Sequence, residues 1–236
     1  MKKIYLITGA SSDIGMEFIQ RVSRKDTEAL FYAHYRTMNA RLQSLKTDLG
    51  DRMELIQADL SAPEGALRVI DAVREVPSYI LHLPAGRIEY MRFRQIEVGE
   101  MQREMQLQVY SLLEIYKVLL PKMARVGYGR SVAVVTSCTC GMPPKFLGMY
   151  TTVKYALLGL VKSAAAEYAK NGILINALSP NMVETKFLEA LDQRVVEMAA
   201  QQSDIGRHLT VHEVAATIEF LLSDENSMCG ENMVIG

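Results

Sequence analysis

Hydrophobic positions in this chain follow two rhythms. Short, almost unbroken apolar runs occur at IYLIT (4–8), ALFYAHY (29–35), MELIQAD (53–59), YILHL (79–83), SVAVVTS (131–137) and GILINAL (172–178). Each has the length and the β-branched or aromatic content of a strand. Between them lie helical stretches near 13–24 and 211–223, a polar helix near 39–48, the helix that carries YTTVK, and a long amphipathic helix over 97–124. A further helix opens at Pro63, a residue well placed at a first helical position. The closing ENMVIG reads as a last edge strand.

Strands alternating with helices imply βαβ units and a parallel sheet, and continuously apolar strands imply cover on both faces. The expected fold is α/β: one Rossmann-type, doubly wound parallel sheet of about seven strands with helices on both faces. Without repeats, low-complexity tracts or linkers, residues 1–236 read as a single domain, with a lid-like segment at 181–206. In such a sheet, ligands bind beyond the carboxyl ends of the strands. Thr8, Arg36, Asp59, Leu83, Ser137 and Ser179 stand at those ends.

Composition narrows the classes. A net charge of −1 over 236 residues gives no reason to expect nucleic acid or an anionic membrane as partner. The apolar run of MKKIYLITGA is too short for a signal-peptide core, and no stretch approaches the ~18 apolar residues of a membrane span. Three cysteines, an odd number, suggest no disulfide framework, so a reduced, cytoplasmic location is the simplest expectation.

Candidate chemistry begins with TGASSDIG (8–15), directly after the first strand. A glycine-bearing loop opening a helix lets the backbone approach a pyrophosphate and offers it free N–H groups. Gly9, Ser11, Ser12, Asp13, Ile14 and Gly15 are therefore candidates for cofactor binding. Asp13 is the awkward member, because a carboxylate repels phosphate; capping the helix is its ordinary alternative. The second strand ends in HYRT, with Arg36 and no acid, and a guanidinium there suits a 2′-phosphate. NADP(H) is expected over NAD(H). Tyr150 and Lys154 lie one turn apart on one helix face, an arrangement in which an ammonium lowers the pKa of a phenol.

TGASSDIG, ADL (58–60), PAG (84–86), Ser137, YTTVK and SPNMVET (179–185) fall in an order that resembles the short-chain dehydrogenase/reductase family, and more particularly its 3-oxoacyl carrier-protein reductases. The resemblance covers nearly the whole chain. It implies that Tyr150 is the general acid/base, that Lys154 also bonds the nicotinamide ribose, and that Ser137 steadies the substrate oxygen. It further implies that Asp59 and Leu60 flank the adenine and that Ala85 and Gly86 pass under the cofactor. Pro180, Val183 and Thr185 belong to the same cofactor set, the last two holding the carboxamide. Gln108 stands where the family carries a relay asparagine, and Leu83-Pro84 replace two asparagines. Met142, Met149, Met182, Phe187 and Leu188 are candidates for the substrate wall.

CTC (138–140) lacks the matching pair of a zinc site, and the four histidines form no ligand pattern, so no metal is expected. The function expected is NADPH-dependent reduction of a ketone or 3-oxoacyl carbonyl, a biosynthetic ketoreductase step. Two alternatives stay open: a redox-silent binding or assembly partner, and a non-redox dehydratase or isomerase. Lys122, Arg125, Arg130 and Lys170 leave docking of a carrier protein open, and the family resemblance implies a homotetramer or dimer.

Overall fold

The computed structural model describes residues 2–186, 188 and 193–236. The strands are β1 Ile4–Thr8, β2 Leu30–Tyr35, β3 Met53–Gln57, β4 Tyr79–His82, β5 Gly129–Val134, β6 Ile173–Pro180 and β7 Asn232–Ile235. They form one sheet in the order β3-β2-β1-β4-β5-β6-β7, with every pairing parallel. The strand order reverses between β1 and β4, which is where a doubly wound sheet opens a crevice.

Successive strand residues feed opposite faces, as the period of two requires. Leu6, Ile80, Ala133 and Ile175 pack on one side against α3 (Pro63–Ala72), α5 (Ser111–Val126) and α6 (Gly148–Tyr168). Ile7, Phe31, Leu81, Val132 and Leu178 pack on the other against α1 (Asp13–Lys25), α2 (Ala40–Leu49) and α8 (Val211–Leu221). α7 (Gln193–Gln202) lies within the segment expected as a lid.

One expected element divides. A single helix over 97–124 is replaced by α4 (Val98–Met105), a π turn (Gln106–Tyr110) and α5. The Ser111 N–H donates to Gln106 O, five residues back, and the Gln108 carbonyl accepts from His82 at 2.9 Å. A π turn holds one residue more than an α turn, so α4 and α5 present different faces to the sheet.

Two buried histidines fasten the carboxyl edge around β1. His34 Nε2 faces Ala58 O at 3.1 Å, so that nitrogen carries the proton and Nδ1 accepts the Gly9 N–H at 3.2 Å. By the same reasoning His82 Nε2 donates to Gln108 O, and Nδ1 accepts the Thr8 hydroxyl at 2.8 Å. Burial lowers the pKa of both rings, that of His82 to about 3. Below pH 6.5 the unfolded chain takes up protons that the folded chain refuses, so acidification favours unfolding. The urea-unfolding free energy should fall between pH 6.5 and 5 by about 1.4 kcal/mol per pH unit for each imidazole held neutral. His82→Gln should remove one such share, and an acid limb of unchanged slope would count against this role for the ring.

Candidate active site

A cleft of about 850 Å³ lies over the carboxyl ends of the strands. Gly9, Ser11, Ser12, Asp13 and Ile14 form its floor at the β1–α1 turn. Ser12 caps α1, its hydroxyl accepting the Gly15 N–H at 3.1 Å, so the cap expected of Asp13 belongs to its neighbour. Exposed Arg36, just after β2, lines the cleft, as do Leu60 after β3 and Ala85 after β4. Ser137, Tyr150 and Lys154 line it too. Pro180, Val183 and Thr185 close one side, and Met142, Met182 and Leu188 contribute apolar surface. Met142 is 95% exposed and sits at the mouth.

Other expected residues stand elsewhere. Gly15 lies behind the loop, where a Cβ would come within 2.9 Å of Gly9 O and Ala10 Cα, so glycine lets α1 close on the loop. Asp59 does not line the cleft; its carboxylate accepts from the Ser61 N–H and hydroxyl at 2.9 and 2.7 Å, which lowers its pKa. Met149 is buried away from the cleft. The Gln108 side chain is buried outside it and donates to Glu104 Oε2 at 2.7 Å. Gly86 is also outside, with the Glu104 carboxylate against its Cα. Phe187 lies outside the described residues.

Tyr150 and Lys154 share one face of α6 as expected, with the ammonium 5.9 Å from the phenol ring centre. The expected fall in the phenol pKa is reversed. Burial pushes Tyr150 up to about 12, a hydrogen bond with Thr136 pulls against it, and Cys138 and Tyr90 add to the rise. Lys154 is 2% exposed, and burial pushes it down to about 8 while Glu104 opposes the fall. Its Nζ donates to Val134 O at 3.1 Å. A lysine already reluctant to carry charge has less to offer the phenol than an exposed one.

Asp13 has a different task from either role considered in the sequence. One carboxylate oxygen accepts from Arg41 Nη1 at 3.0 Å and the other from the Lys186 N–H at 3.1 Å. It thus ties the glycine loop to α2 and to the segment after Thr185, and its charge is answered before any phosphate arrives. The same segment is fixed from beyond α7, where Leu209 N and O bond Met182 O and Glu184 N, each at 2.9 or 2.8 Å.

Sequence comparison assigns the family. A family model described as enoyl-(acyl carrier protein) reductase matches residues 9–235. An uncharacterized oxidoreductase of Bacillus subtilis, YmfI, is 31% identical over 236 residues, covering 96% of this chain and 94% of its own. The chain belongs to the short-chain dehydrogenase/reductase family. Within that family it is 25% identical to the 3-oxoacyl-(acyl-carrier-protein) reductase FabG of Vibrio cholerae, over 94% of this chain and 91% of FabG. Its fold matches L-sorbose reductase from Gluconobacter frateurii, solved with NADPH and L-sorbose, at a TM-score of 0.86 and 22% identity, covering 99% and 95% of the two chains. The chain is thus an oxidoreductase of short-chain dehydrogenase/reductase type with a single-domain, seven-stranded parallel sheet. Among the described residues, no helix is long and apolar enough to cross a membrane.

The Asp13 tether gives a direct test. Asp13→Ala removes the acceptor of the Lys186 N–H, and that amide should exchange with solvent about tenfold faster or more. Exchange at the parent rate, followed by mass spectrometry or NMR, would separate the loop from the segment it is said to hold.

Proposed function

We propose that the protein reduces a ketone or 3-oxoacyl carbonyl with NADPH, using Tyr150 as the acid. The observation that carries this reading is the shared cleft: the Ser137–Tyr150–Lys154 group opens into the same space as the glycine loop and Arg36. The residues fit a dinucleotide. The start of α1 offers backbone N–H groups at its floor, and Arg36, with Thr37 beside it, offers donors at the end of β2. Bound there, NADPH supplies the hydride. L-sorbose reductase, whose fold this chain shares, was captured with NADPH, which supports the same assignment here.

The rest falls to the chain's own side chains. Ser137 and Tyr150 flank the place for a carbonyl oxygen, and both hydroxyls strengthen their hold as charge develops on it. At neutral pH a phenol held near 12 is a proton donor rather than a phenolate, which favours reduction over the reverse reaction. Thr136 eases the phenolate that remains after transfer. Lys154, on the same helix face, returns the proton from its ammonium. Met142, Met182 and Leu188 provide an adaptable apolar wall for an acyl chain or ring. Arg130 is largely committed elsewhere, stacked on Tyr128 at 4.6 Å and bonded to Gly129 O, so any carrier-protein contact falls to Lys122, Arg125 and Lys170.

Tyr150→Phe should lower kcat for a ketone substrate by about a thousandfold while the Kd for NADPH stays within about twofold. Parent-like turnover would eliminate the phenol as the acid. In Arg36→Ala the Kd for NADPH should rise about tenfold or more and that for NADH hardly change; equal losses would dispose of the 2′-phosphate assignment. Titration of the parent with both cofactors, read by their fluorescence, followed by turnover of the bound cofactor with a ketone, separates this reading from a redox-silent one: binding of neither, or binding without turnover, would point to a silent or repurposed member. The rate of reduction should be level below pH 8 and decline above it, because the lysine ammonium, at about 8, is then lost.

A further inference from the structure

The mechanism above leaves one charged side chain unused. Glu104, on the last turn of α4, brings its carboxylate against the Cα of Gly86; a Cβ there would overlap Oε1 and both neighbouring carboxylate atoms. The seat exists because residue 86 has no side chain. Gln108 holds the carboxylate in it, with Nε2 donating to Oε2 at 2.7 Å. Gln108 is fixed in turn, its carbonyl taken by His82 at 2.9 Å. The π turn that carries Gln108 packs against α6, the helix of Lys154.

Two buried polar groups in this corner are incompletely paired. Gln108 Oε1 has no hydrogen-bond partner among the described residues. Lys154 has three donors and one bond, to Val134 O. An ammonium this deeply buried is costly unless a negative charge answers it. Around it, α4 with Glu104 and the π turn both pack against α6, no direct ion pair joins Glu104 to Lys154 among the described residues, and the other ionisable groups are His82 of β4 and Tyr150 of α6 itself. The imidazole is neutral above about pH 3 and the phenol below about 12, so Glu104 is the anion of the set.

We propose that Glu104 is a positioning residue of this site: its carboxylate, locked onto Gly86 by the Gln108 amide, is the counter-charge of the Lys154 ammonium. It thereby sets how far into alkaline pH the site can deliver protons. The opposing pulls already described at Lys154, burial downward and Glu104 upward, agree with this geometry. The effect on turnover rests on the reductase reading; the effect on Lys154 does not.

The test is therefore made first on the lysine. In protein labelled with ¹³C-lysine, the Lys154 Cε resonance, assigned with Lys154→Met, is followed against pH in the absence of cofactor and substrate. The parent should titrate near 8. Glu104→Gln, which keeps the shape and loses the charge, should titrate about one pH unit lower. At pH 8 the ammonium fraction would then fall from about a half to about a tenth. The alkaline limb of kcat should move by the same amount, while the Kd for NADPH stays within about twofold. Gly86→Ala, which fills the seat and displaces the carboxylate with Glu104 still present, should move the Lys154 titration in the same direction, and it serves if Glu104→Gln does not fold. Lys154 titrating identically in parent and variant would overturn the proposal. So would a kcat that drops equally at every pH with its alkaline limb in place. If the parent reduces no carbonyl at all, the function assigned above fails, and the resonance still decides the role of Glu104.

Discussion

The site depends on one run of buried hydrogen bonds along the carboxyl edge of the sheet. It passes from Ala58 O through His34 to Gly9, and from Thr8 through His82 to Gln108 and on to Glu104. Each imidazole donates from Nε2 and accepts at Nδ1, which a ring can do only while neutral. The run joins β3, β2, β1 and β4 to the π turn, so the glycine loop and the lysine corner are held by one set of bonds. Inside a low-dielectric edge, such bonds are strong when complete and costly when any member is lost.

The same low dielectric shapes the chemistry. Taking Tyr150 and Lys154 out of water penalises the charged form of each, so the phenol rises and the ammonium falls. The pair is thereby biased toward a neutral donor beside a weakly held cation. Thr136 and Glu104 each work against part of that bias. Polarity is restored side chain by side chain, where one atom needs it. At the glycine loop the same economy places Asp13 between Arg41 and the Lys186 amide.

The sequence made the sheet legible because parallel strands buried on both faces are apolar at nearly every position, and the turns after them carry the chemistry. The glycine loop, Arg36, Ser137 and the Tyr150–Lys154 pair were visible for the same reason: each stands at a strand end or on one helix face. The π turn was not, since QLQVY continues the amphipathic spacing on either side of it. Glu104 belongs to no motif; only the bare Cα of Gly86, eighteen positions away in the chain (104 − 86), makes room for it. His34 and His82 matched no ligand pattern because their partners, Gly9 and Thr8, are brought to them by sheet pairing. Asp13 was offered as a cap because adjacent Ser12 and Asp13 are both good capping residues, and nothing in their order says which will cap. The direction of the Tyr150 shift escaped because burial leaves no mark on a five-residue motif.

The π turn also has a meaning for how this helix can change length. Each residue of an α-helix advances the azimuth by about 100°. Five residues in a π turn sweep about the same angle as four in an α turn, so removing one residue from Gln106–Tyr110 and restoring ordinary winding would leave α4 and α5 in their present relative phase. Glu104 would then keep its place against Gly86. A single codon lost from this turn would therefore change only the turn itself, with Leu107 at the cleft and Gln108 beneath it, and would leave the helix before it as it stands.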